Sequence, residues 1–81
     1  MATSSGKKNI AGQRIALARA SHRPPLTQDA LSGRLARFGV SLDRASIAKV
    51  ETNRRYVLDY ELKAIAKVLD VGTDWLLGGE K

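Results

Sequence analysis

Nowhere in this chain do apolar and polar residues alternate over a useful length. Apolar residues recur instead three and four positions apart, in short runs that proline, glycine or asparagine cuts off. That spacing is the helical period, whereas a half-buried strand needs alternation. Helices joined by short turns are what remains, and the pattern predicts an all-α domain of five helices.

The first helix is expected to start at Asn9 as N-cap, with Ala11, Ile15 and Ala18 facing inward and Arg14 off that stripe. It should fade over Ser21–Arg23, because Pro24 and Pro25 cannot continue it. Thr27 then caps a second helix, with Asp29 favourably placed in its first turn. Leu31, Leu35 and Phe38 form its inward face, Arg34 and Arg37 point elsewhere, and Gly39 ends it. Val40 and Leu42 are two apolar anchors in the turn that follows. Asp43 caps a third helix running to about Thr52, with Ile47 and Val50 inward and Asn53 as its stop. Asp59 is expected to cap a fourth helix striped by Leu58, Leu62, Ile65, Ala66 and Leu69 and broken at Gly72. Thr73 should cap a last helix over Asp74–Leu77, closed by Gly78 and Gly79. Residues 1–8 read as a flexible basic arm ahead of a domain at 9–79.

Composition removes several function classes. A chain of 81 residues makes one small domain that buries only about 60–65% of its unfolded surface. It contains no cysteine and a single histidine, which leaves no thiolate or His-rich metal site. No nucleophile–base pairing or Gly-rich phosphate loop is present, so neither an enzyme nor a cofactor or small-molecule site is expected. No apolar run approaches the roughly 18 residues that span a bilayer, and residues 1–10 lack the apolar core of a signal peptide. A cytoplasmic protein without membrane contact is the expectation.

Charge is more informative. Residues 1–58 carry eleven Lys and Arg against three acids, whereas residues 59–81 carry three Lys against five acids. A basic body with a mildly acidic tail points to a polyanion partner on one face. RNA is less suited than duplex DNA, because the chain lacks aromatic pairs for stacking bases.

The segment Thr27-Gln28-Asp29-Ala30-Leu31, followed by Ile47-Ala48-Lys49-Val50-Glu51 and then Val71-Gly72-Thr73-Asp74-Trp75-Leu76-Leu77-Gly78, resembles the phage-repressor/Cro type of helix-turn-helix protein, often called the XRE family. The likeness covers roughly residues 10–79 and rests on four pieces in order (the Thr27-Gln28 pair, Leu31, Ile47 with Glu51, and the phrase from Val71 to Gly78) rather than on any one. It departs in one respect. Gln28 and Glu51 stand twenty-three positions apart, more than in the commonest members, which implies a lengthened turn near Gly39–Leu42. The resemblance implies a lambda-repressor-like fold whose helix-turn-helix reads DNA. By position it implies an Arg19–Glu51 ion pair tying the first helix to the end of the third. It also implies that Gln28 donates to a phosphate.

The major groove of B-DNA admits an α-helix and presents a distinct donor and acceptor pattern for each base pair. Residues near the start of the recognition helix reach the base edges. Here these are Arg44, Ala45, Ser46, Ala48 and Lys49. Arg44 suits guanine O6 and N7, and Lys49 suits guanine or a phosphate. Ala45 and Ala48 allow close approach, while Ser46 could instead spend its hydroxyl on its own helix. The resemblance places Thr52, Asn53, Arg54, Arg55 and Tyr56 along the phosphate backbone.

One such helix reads few base pairs. Relatives usually pair, so that two helices enter grooves about 34–36 Å apart on a palindromic operator. Trp75, Leu76 and Leu77 carry more apolar surface than so short a helix can hide, and they mark the expected homodimer interface. The overall expectation is a bacterial or phage transcription regulator, a repressor by preference. The alternative is an antitoxin or accessory factor that binds a protein partner as well as its operator.

Overall fold

The computed structural model describes residues 9–79, so the expected arm over residues 1–8, with Lys7 and Lys8, lies outside the described residues. Among these the chain is helical, without a strand: α1 (Gly12–Ser21), α2 (Gln28–Ala36), α3 (Arg44–Glu51), α4 (Asp59–Leu69) and α5 (Thr73–Leu76). No helix among them is long and apolar enough to cross a membrane.

Two helix starts follow directly from their caps. The Ala30 N–H donates to Thr27 Oγ1 at 3.0 Å and the Ser46 N–H to Asp43 Oδ1 at 2.8 Å. Each bond satisfies a donor that the first turn of a helix otherwise leaves unpaired. Gly39 (φ +77°) and Asn53 (φ +63°) turn the chain beyond α2 and α3 through the left-handed region, as their residue types suit.

Other boundaries differ from expectation. Regular geometry in α1 begins at Gly12, yet Asn9 still makes the bond of a cap, its Oδ1 accepting from the Gly12 N–H. The N-cap of α4 is Leu58, whose N–H donates to Glu61 Oε1 at 2.9 Å, and Asp59 sits inside the first turn. The stop of α4 is Asp70 at φ +58° rather than Gly72. Gly72 is then the N-cap of α5, which draws Thr73 into the helix and ends it at Leu76.

Every helix contributes to one core. Ile15, Leu31, Leu35, Ile47, Val50, Ile65 and Leu76 are essentially inaccessible, and Leu26, Val40 and Leu42 join them from the connections. α3 packs on α1 and α2, α4 packs on α1 and α2, and α5 closes against α1 and α4. The approach of α1 to α3 requires a glycine, because a Cβ at Gly12 would collide with the Val50 carbonyl oxygen.

Three apolar placements are corrected. Phe38 is exposed, because α2 ends at Ala36 and helical spacing no longer applies beyond it. Leu58 is exposed as a cap residue outside α4. Leu76 is wholly buried in its own chain, so it is a core residue and not a dimer contact; Leu77 is exposed and Trp75 is partly buried.

Candidate nucleic-acid interface

The orientation of α3 is set by what it buries. Ile47 and Val50 are 1% exposed, and their burial fixes the helix about its axis. Arg44, Ala45 and Lys49 consequently face solvent, with Ser46 and Ala48 partly buried beside them. Arg44 and Lys49 are thus long cationic side chains five positions, about 1.4 turns, apart with alanines between them. A helix with that face can approach a surface closely and present a forked guanidinium to paired acceptors. The Ser46 backbone is engaged by Asp43, whose carboxyl lies below its usual range because it accepts from the Ser46 N–H and lies near Lys49 and Arg55.

The far end of α3 is held by a network among three helices. Arg19 donates from Nε to Glu51 Oε2 at 2.8 Å and from Nη2 to Oε1 at 2.9 Å. Its Nη1 donates to the Leu26 carbonyl at 3.0 Å. The Glu51 side chain is 6% exposed and that of Arg19 20%, so the pair is shielded from water. The bond to Glu51 raises the Arg19 pKa against the opposing effect of burial. Gln28 Nε2 also donates to Glu51 Oε1, at 3.0 Å. Gln28, which the resemblance assigns to a phosphate, therefore spends a donor inside the protein.

Beyond α3 the chain doubles back. Thr52 Oγ1 donates to the Ala48 carbonyl, Arg54 Nε donates to Thr52 Oγ1, and the Arg54 N–H donates to the Lys49 carbonyl at 2.7 Å. Arg54 and Tyr56 are exposed, and Asn53 is partly buried. Arg55 is not available in the same way. Its Nη1 donates to Glu61 Oε1 at 3.0 Å and to the Tyr56 carbonyl. Of the segment 52–56, Thr52, Arg54 and Tyr56 share exposure with Arg44 and Lys49, whereas Arg55 is turned into a structural pair.

Periodicity gave no sign of three structural side chains. Asn9 Nδ2 donates to the carbonyls of Val50 and Arg55, pinning the start of the described chain to the end of α3. Arg14 donates to the carbonyls of Trp75 and Gly79, and its guanidinium lies 4.9 Å from the Trp75 ring centre. Glu61, only 3% exposed, is held by Arg55 and the Leu58 N–H. Burial pushes its carboxyl up, but those bonds and the Arg55 charge outweigh it and the net displacement is downward. No group of three or more His, Cys, Asp or Glu able to hold a metal occurs among the described residues. Comparison of the chain with family models, curated proteins and solved structures finds no match.

Proposed function

We propose that this chain is a sequence-specific duplex-DNA-binding regulator, a repressor by preference, of the helix-turn-helix kind that its sequence resembles. In this reading α2 and α3 form the motif, and the lambda-repressor-like arrangement carries α3 into the major groove. The observation that carries it is the rotation of α3. Burial of Ile47 and Val50 leaves Arg44, Ala45 and Lys49 outward together. Arg44 would read guanine by a forked contact, the alanines would let the backbone approach, and Lys49 would reach a base or a phosphate. Thr52, Arg54 and Tyr56 would follow the backbone. The longer connection at residues 37–43 does not argue against this, since Val40 and Leu42 anchor it in the core. A homodimer paired through Trp75 and Leu77 at the α5 end would place two such helices on a two-fold-symmetric site.

Selection from randomised duplex DNA tests the reading. A symmetric site is expected. Arg44→Ala should relax preference at one base pair of each half-site by about 1–3 kcal/mol. Arg54→Ala should weaken binding to all duplexes alike and reduce the salt slope by about one. If neither variant changes affinity or preference, α3 is not the reading helix. Light scattering at tens of micromolar, with and without the selected site, tests the pairing; a monomer in both conditions removes it.

A further inference from the structure

The N-terminal parts of α2 and α3 face each other across a shallow groove whose lining includes Gln28, Asp29, Ser32, Asp43, Arg44 and Ala48. Across it Arg44 Nη1 stands 3.6 Å from Asp29 Oδ2, with the two side chains 67% and 71% exposed. A pair so long and so wet does little for the fold. Its position is more informative than its strength. Arg44 is the first residue of α3, the end at which the helix dipole disfavours a cation. The nearest acid on its own helix, Asp43, has an oxygen committed to the Ser46 N–H. The carboxylate that pairs with the guanidinium is that of Asp29, from the neighbouring helix.

We propose that Asp29 is a specificity-positioning residue, which holds the Arg44 guanidinium for guanine and lowers affinity for DNA lacking guanine there. This rests on the reading of α3 as the helix that enters the major groove. A guanidinium carries five N–H donors in a fixed fork. With Nη1 turned toward Asp29, other donors of the fork remain for guanine O6 and N7. An arginine without that partner samples many rotamers and reaches phosphates as readily as bases. The carboxylate also repels phosphate oxygens, so an Arg44 that finds no guanine leaves a negative charge near the backbone without compensation. One group thus sharpens preference and reduces binding to arbitrary sequence, which is how a repulsive element adds selectivity.

The test uses the full chain and four duplexes that differ only at the base pair where Arg44→Ala loses preference. Asp29→Asn keeps size and removes charge. It should reduce the guanine preference there about threefold to tenfold, part of what a bidentate contact supplies. It should also tighten binding to mixed-sequence DNA. Asp29→Glu should keep most of the preference, and in an Arg44→Ala background Asp29→Asn should not change it. A purely structural role for Asp29 would lower binding to all four duplexes in parallel with the melting temperature. That result, or an unchanged ratio in Asp29→Asn, overturns the proposal while leaving α3 as the reader. If the wild-type chain shows no base preference anywhere, the reading of α3 and the proposal fall together.

Discussion

The two ends of α3 carry ion pairs of the same chemistry in opposite settings. At the C-terminal end Glu51 accepts two bonds from Arg19 and a third from Gln28, and it is almost wholly shielded from water. At the N-terminal end Arg44 and Asp29 stand 3.6 Å apart and about two-thirds exposed. Water decides the difference. A charge stripped of solvent must keep its partner, whereas one that retains solvent has donors left for a further partner. The helix is thus anchored at one end and left chemically available at the other.

The largest expected effect lies at the shielded end. Glu51→Ala strands the Arg19 guanidinium and the Gln28 amide, and removal of one partner of a buried pair costs about 3–5 kcal/mol. Against a typical total of about 5–15 kcal/mol that is a large fraction. Denaturant unfolding should show a lower midpoint with little change in slope. A loss below about 0.5 kcal/mol would mean that the two ends of α3 do not differ as their burial implies.

Arg55–Glu61 is intermediate, with side chains 31% and 4% exposed, and it sharpens the comparison through pH. The folded state holds the Glu61 carboxyl below its ordinary value, so the unfolded chain binds this proton more readily. Stability from this group is therefore fully present above the ordinary glutamate value, about 4.3, and is lost as pH falls through the lower folded value. Glu61→Gln should flatten the acid limb of the stability curve below about pH 5 and cost about 1–3 kcal/mol near neutrality. An acid limb as steep as that of the wild-type chain would show that Glu61 is not the group responsible.

The same contrast separates what was legible in the sequence from what was not. Thr27 and Asp43 as caps, and Gly39 and Asn53 as stops, depend on neighbours within four positions, and such signals survive without tertiary knowledge. The inward faces of α1 and α3 follow from period alone. Phe38 and Leu58 were misplaced because they lie just beyond helix ends, where the period no longer says which way a side chain points. Leu76 looked like surplus apolar surface because nothing local reveals that α1 and α4 enclose it. The Arg19–Glu51 pair came from family resemblance, since no spacing rule links residues thirty-two positions apart. Asn9 reaching Val50 and Arg14 reaching Trp75 are tertiary events of the same kind, without a resemblance to announce them, and Arg55 turns to Glu61 six positions on, beyond the reach of any cap or helical-spacing signal. In the candidate interface the exposure of Arg44, Ala45 and Lys49 was readable from the burial of Ile47 and Val50. The diversion of Arg55, and the donor that Gln28 gives to Glu51, were not.

The smallest expected effect lies at the exposed end. Asp29→Ala and Arg44→Ala should each change unfolding free energy by only a few tenths of a kcal/mol, and a double-mutant cycle should give a coupling below about 0.5 kcal/mol. Asp29→Ala also removes an acid from the first turn of α2, where the helix dipole favours it, so its single effect should be the larger of the two. Added salt should shrink the coupling further, since both groups face solvent. A coupling above about 1 kcal/mol that survives high salt would make this pair a structural tie like Arg19–Glu51. The N-terminal end of α3 would then be fixed by a stability-bearing pair as the C-terminal end is, and the division between an anchored and an available end of α3 would no longer hold.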